Sequence, residues 1–348
     1  MKLLIRLIIL MLFLGQPVTA QAMSYTAPDA PAQAEKYMPE DTESFGEGLW
    51  SILKEGIAAI QPAIMDAAGI CLSLIGISVL LSCARNISET ASKAVNLTGT
   101  IVVSTLLIRS SNTLIHLGID TVKEISDYGS LLIPVMSGAL AAQGGTAASA
   151  ALYAGTAVFS AFLSGAVSKL LAPMLYIYLI LAIVNAATGE SIVAKLRDFI
   201  KWLTTWGLKI SLYTFTGYMG ITGVVSGSAD AARLKATKLT ISGMVPVVGG
   251  ILSDASESIL VSAGLVKSTV GVYGLLAVAA LWIEPFLTIG VQYLLLKATA
   301  AVCEVFEVKQ VSGLIKNFSV AMGLVLAMTG SVCLMLLISV VCFMKGVS

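Results

Sequence analysis

From Phe318 to Met344 the sequence runs without a single Asp, Glu, Lys, Arg or His. An uncharged apolar run of that length is enough to cross the ~30 Å hydrocarbon core of a bilayer as a helix. Lipid offers no water to the backbone, so a spanning segment must satisfy its own N–H and C=O groups, and a helix does so within one segment. Ala67–Ala84 and Leu170–Thr188 are equally free of charge. With 57% hydrophobic and only 12% charged residues over 348 positions, too little polar surface remains to coat a water-soluble particle. The fold class that follows is all-α: a polytopic helical membrane protein of about seven transmembrane helices, with interfacial amphipathic helices. The 31 glycines suit helices that approach closely through small residues. A net charge of +1 gives no basis for a nucleic-acid partner, and the lipid bilayer is the first partner implied.

The N-terminus has the build of an export signal. Lys2 and Arg6 precede the short apolar run Leu7–Leu14, and Gly15 and Pro17 lead to Ala20-Gln21-Ala22, a small-residue cleavage pattern. This predicts a signal peptide over 1–22, with an uncleaved anchor as the alternative. Residues 23–48 carry Asp29, Glu35, Glu40, Asp41, Glu43 and Glu47 against Lys36 alone, with three prolines. The expectation is an exported, acidic, flexible tail, because the stretch has too little apolar surface to fold by itself. The remainder, 49–348, reads as a helical transmembrane domain.

Within it, Leu49–Met65 is amphipathic and predicts an interfacial helix anchored by Trp50. Spans are predicted at about 67–84, 94–117, 170–188, 202–227, 270–296, interrupted at Glu284-Pro285, and 318–344. Asp120, Lys123, Glu124 and Asp127 read as an outer turn. Pro134 and Gly144-Gly145 offer breaks in 131–168, giving a short or re-entrant segment and then a helix from 146 to 168. Ala147, Ala151 and Gly155, then Ala161 and Gly165, place small residues on one face of that helix. Residues 190–201 and 298–316 read as amphipathic and interfacial. Strict alternation puts either Lys195 and Arg197 or Arg233–Lys238 on the outer side, which points to a re-entrant element. Pro246, Gly249 and Gly250 within 241–267 mark a broken or re-entrant segment.

No nucleotide-binding glycine loop, zinc-protease motif or nucleophile elbow is present, and His116 is the single histidine. The reading is therefore not an enzyme, with no catalytic, cofactor-binding or metal site. Cys71, Cys83, Cys303, Cys333 and Cys342 have no metal-ligand spacing and read as buried free thiols. What remains is ionisable residues in membrane-grade sequence, each costing roughly 2.5–3.5 kcal/mol at a helix centre. Arg109, Lys209 and Lys267 have stems long enough to reach the headgroups. Asp254 and Glu257 suit either a shallow interfacial helix or a polar pathway. Glu284, directly before Pro285, is the leading candidate for a buried functional carboxylate. The candidate pathway or partner-contact residues are Pro246, Gly249, Gly250, Asp254, Glu257, Lys267, Glu284 and Pro285. Gly217, Gly220, Gly223 and Gly227 read as a helix-packing face. An autonomous secondary transporter using the intramembrane carboxylates is the alternative function, although the two halves show no convincing internal repeat.

The block GMVPVVGGILSDASESILVSAGLVKSTVGVYGLL, from Gly243 to Leu276, resembles the stage III sporulation protein AE family. Pro246-Val247-Val248-Gly249, Ser253-Asp254-Ala255 and Lys267 ahead of Gly271 carry that resemblance. It implies a polytopic subunit of the channel complex between mother cell and forespore, in the mother-cell membrane around the forespore. The partners it implies are other membrane and ring-forming subunits and a separate secretion-type ATPase.

Overall fold

The computed structural model describes residues 27–39, 44–85, 89–142, 146–221 and 269–347. Its elements are α1 (Ala32–Glu35), α2 (Phe45–Ala59), α3 (Gln61–Arg85), α4 (Glu89–Ala142), α5 (Thr146–Ala166), a π turn (Val167–Leu171), α6 (Ala172–Thr188), α7 (Ser191–Ile221), α8 (Thr269–Val305) and α9 (Lys309–Val347). Among the described residues the fold is entirely helical, as the sequence implied.

The helix with the longest uncharged stretch, α9, is the axis of the bundle. Every residue of α9 from Ala321 to Leu337 is buried, on all sides of the helix, as expected for a helix that is hydrophobic all round. Helices α4, α5, α6, α7 and α8 pack around it. Close approach depends on missing side chains: a Cβ at Gly118 of α4 would run into Val325 of α9. Polar side chains then lash the helices together. Trp282 Nε1 donates to Thr329 Oγ1 at 3.2 Å, Tyr178 OH to Asn317 Oδ1 at 3.1 Å, and Thr156 Oγ1 to Ser339 Oγ at 3.1 Å. Many other hydroxyls return to the carbonyl four residues back, as Ser78 does to Leu74 and Ser104 to Thr100. That is how a hydroxyl is satisfied where no water reaches it.

Five helical stretches among the described residues are long and apolar enough to cross a membrane: 61–84, 94–141, 149–188, 270–305 and 309–344. The count among the described residues is lower than about seven because segments predicted separately are fused and because α7, which holds the described part of the predicted span 202–227, is not among the five; 222–268 lie outside the described residues. Helix α4 runs unbroken for 54 residues, about 80 Å at 1.5 Å per residue. Its charged middle is no turn. Thr121, Val122, Ile125, Tyr128, Leu132 and Met136 are buried at helical spacing, and Asp120, Lys123 and Asp127 occupy the exposed side of the same helix. Pro134 also fails to break α4, since it and Ser130, four residues back, lie on the exposed face where a lost backbone bond costs least.

The helices predicted at 146–168 and 170–188 are one rod. The junction is a π turn in which Ala172 N–H bonds to the Val167 carbonyl, just before Pro173 at the start of α6. Proline has no N–H to continue an α ladder, and the wider turn absorbs that gap. Likewise α8 continues through Pro285 to Val305, so 270–296 is not interrupted at Glu284-Pro285 and 298–316 is not a separate interfacial helix. The chain turns at 306–308, where Glu307 adopts φ 58°, and α9 begins at Lys309.

The small-residue face of α5 is used in part. Gly155 lies under the Tyr218 ring, and Tyr218 OH donates to the Ala151 carbonyl at 2.8 Å. Among the described residues, Gly165 and Gly217 have no neighbour within 4 Å of a built Cβ, so neither mediates packing between the described helices. Gly223 and Gly227 lie outside the described residues, as does the segment around Pro246. Helix α7 joins the predicted amphipathic 190–201 to the predicted span beyond it. It follows α6 through Gly189, whose φ of 74° caps that helix in the left-handed conformation. Leu208, Leu212, Phe215 and Met219 bury one side of α7, while Phe199, Trp202 and Trp206 stack along the exposed side at 5.7–5.9 Å. Such an aromatic strip suits the membrane interface. Four of the five thiols are buried, but Cys83, near the end of α3, is exposed.

Candidate functional site

Residues 27–39, expected as part of a mobile tail, are packed onto the bundle. The short helix α1 lies against α8, with Ala34 at 0% and Tyr37 at 3% exposure. These two residues supply apolar surface that the tail's composition as a whole conceals, and α8 provides the partner surface an isolated tail would lack.

Polar contacts fix the arm along its length. Ala30 N–H donates to Tyr273 Oη at 3.0 Å, and Tyr128 OH donates to the Pro28 carbonyl at 3.4 Å. Gln33 Nε2 donates to Glu124 Oε1 at 2.5 Å. At the end of α1, Glu284 Oε2 accepts from Lys36 Nζ at 2.6 Å and from Tyr37 OH at 2.9 Å. Lys36 Nζ also sits 4.6 Å from the centroid of the Tyr37 ring. The hydrogen bond to Glu284 holds the Lys36 ammonium above its ordinary pKa of 10.5. Burial, before any other cause, raises the Tyr37 phenol above 10.0.

This geometry says what Glu284 does in the folded chain. An unpaired carboxylate in an apolar helix is costly, and two donors from the arm offset that cost. The Lys36 and Glu284 side chains stay 53% and 45% exposed, so the pair itself contributes only about 0.2–1 kcal/mol. Burial of the Tyr37 ring holds the arm more strongly than the ion pair does. Lys36, Tyr37, Gln33, Glu124, Tyr128 and Tyr273 do not stand out as site residues in the sequence. One signal is present there: the lone lysine of an acidic stretch complements the lone carboxylate of a long apolar run.

Pro285 is buried beside Glu284 within α8. Pro246, Gly249, Gly250, Asp254, Glu257 and Lys267 lie outside the described residues. Arg109 and His116 are on the exposed side of α4, and Lys209 is exposed on α7. No group of three or more His, Cys, Asp or Glu side chains converges among the described residues in a way that would hold a metal ion.

The family model described as stage III sporulation protein AE matches residues 36–346. The chain belongs to the stage III sporulation protein AE family. The match begins at Lys36, the first residue of the Glu284 contact, and takes in every helix from α2 to α9. A curated relative, the stage III sporulation protein AE of Bacillus subtilis (strain 168), is 26% identical over 174 residues, which is 50% of this chain and 43% of the relative. The chain thus aligns with less than half the length of that relative. No solved structure matches. Family membership and the five apolar helices together make this AE-family chain a multi-pass membrane protein of sporulation.

Proposed function

We propose that this chain is a non-catalytic membrane platform or conduit in the channel complex between mother cell and forespore. It would sit in the mother-cell membrane around the forespore, with residues 23–48 outside the cytoplasm after removal of 1–22. Ring-forming and other membrane subunits would assemble on it, and a separate secretion-type ATPase would supply the energy that a chain without a nucleotide-binding loop does not. The observation that carries this reading is the family match across 36–346. An α9 buried on all sides from Ala321 to Leu337, with helices ranked around it, supports a rigid scaffold rather than a hinge-operated carrier. Glu284 and Pro285, with Pro246, Gly249, Gly250, Asp254, Glu257 and Lys267, are the proposed pathway or partner contacts.

The test is a chromosomal deletion complemented by the full chain in a sporulating host, with copurification from those cells. Deletion should block spore formation, and the tagged chain should bring down other sporulation membrane subunits. Glu284→Gln should lower spore yield at unchanged protein level. A purified chain that by itself moved a solute down an ion gradient in liposomes would replace this reading with the transporter.

A further inference from the structure

A cavity of about 530 Å³ opens on the outside of the bundle between α3, α4 and α8. Its volume lies within the range of sites that hold a small molecule or the head of a larger one. Asp66 enters from α3, Arg109, Ser110 and Thr113 from α4, and Thr288 and Gln292 from α8. Gln292 is 3% exposed, and its bond to Ser110 Oγ is long at 3.4 Å. Arg109 and Asp66 carry opposite charges into one cavity, yet they form no ion pair with each other or with any described residue. Two exposed, unpaired charges of opposite sign lining a shared space, backed by hydroxyls and a buried amide, describe a site for a ligand with both an anionic and a cationic group.

Depth and surroundings identify the ligand's source. Helix α3 has 25 residues, close to the length of a membrane core, and follows the amphipathic α2, whose Trp50 is 69% exposed. Asp66 lies five residues from the start of α3, about 8 Å along the helix at 1.5 Å per residue. The cavity is therefore at the level where headgroups meet acyl chains. The two helices also carry exposed apolar side chains, Met65 and Leu72 on α3 and Ile101 and Ile108 on α4. Lipid covers such side chains in a membrane.

We propose that this cavity binds the headgroup of a zwitterionic phospholipid bearing a primary ammonium. The phosphate would lie on Arg109, whose planar fork suits it, and the ammonium on Asp66. Ile70, Leu106 and Leu114 line the rest of the cavity and receive the glycerol and first methylenes. A headgroup with phosphate alone would face Asp66 without a cation, and a quaternary choline has no N–H to donate to that carboxylate.

The experiment uses the full chain in nanodiscs of mixed phosphatidylethanolamine and phosphatidylglycerol, with retained lipids counted by native mass spectrometry after detergent exchange. Wild type should retain phosphatidylethanolamine over phosphatidylglycerol. Arg109→Gln should lose that retention by about tenfold or more, as loss of a charge-assisted bond implies, and Arg109→Lys, which keeps the charge but not the planar fork, should recover only part of it. Asp66→Asn should shift preference toward phosphatidylglycerol. Thermal unfolding in the same nanodiscs confirms that each variant is folded. Equal retention by wild type and both charge-removing variants overturns the proposal, as does a wild-type preference for phosphatidylglycerol. Displacement by soluble phosphoethanolamine but not by inorganic phosphate would assign the site to a water-soluble zwitterion instead and overturn the lipid assignment.

Discussion

Replacing Tyr37 by alanine should release the N-terminal arm from α8. The side chain is 3% exposed and donates to Glu284 at 2.9 Å. Truncating a buried aromatic residue costs about 3–5 kcal/mol, a loss the remaining contacts of so short an arm cannot offset. Lys36→Ala removes a half-exposed ion pair worth about 0.2–1 kcal/mol. Tyr37→Phe keeps the ring and loses a bond to a charged acceptor, about 1.5–3 kcal/mol. Hydrogen exchange followed by mass spectrometry on peptides covering 28–38 reads these directly, since about 1.4 kcal/mol is tenfold in opening. At neutral pH exchange should accelerate up to about fivefold for Lys36→Ala, about 10–100-fold for Tyr37→Phe and more than about 100-fold for Tyr37→Ala. Equal release by Lys36→Ala and Tyr37→Ala would refute the premise that burial, rather than charge, holds the arm. The pH dependence has a defined sign. Both Lys36 and Tyr37 have raised values in the folded chain, so docking favours their protonated forms. That contribution is fully present below their ordinary 10.5 and 10.0 and is lost as pH rises through the folded values. Protection corrected for intrinsic exchange should therefore lack any Lys36 or Tyr37 transition at neutral pH and fall in the strongly alkaline range.

Two further substitutions should move stability in opposite directions. Gly118→Ala drives a methyl into Val325 in the fully buried part of α9 and should cost about 1–3 kcal/mol, outweighing alanine's helix preference of about 1 kcal/mol, seen as a lower melting temperature in detergent. Gly165→Ala meets nothing within 4 Å and should raise it slightly. Maleimide labelling of the folded protein should modify Cys83 well before Cys71, Cys303, Cys333 and Cys342, and rapid labelling of Cys333 would contradict the buried α9.

Much of the architecture is legible in the sequence because lipid imposes one rule on the backbone. Long apolar runs have to be helices, and the axis of the bundle holds the longest uncharged stretch within a single helix. The departures from expectation share a cause. Asp120, Lys123, Glu124 and Asp127 have the composition of a turn, yet a polar cluster on one side of a helix has the same composition. Only the burial of Val122, Ile125 and Tyr128 between those charges separates the two. Pro134 and Pro285 have the local signature of breaks, but the helix continues through both, Pro134 on the exposed face of α4 and Pro285 buried among the packed helices. At Pro173 a single π turn does the same.

Sequence alone settled the solvent, the class of secondary structure and, through the match across 36–346, the family that the block from Gly243 to Leu276 resembles. It also singled out Glu284 as a carboxylate needing a reason. Tertiary structure decided where that reason lies. Lys36 and Tyr37 stand some 250 positions away along the chain, and no local pattern encodes a contact at that separation. Hydropathy is a property of each segment taken singly, whereas the pairing of a charge depends on which segment the bundle brings beside it.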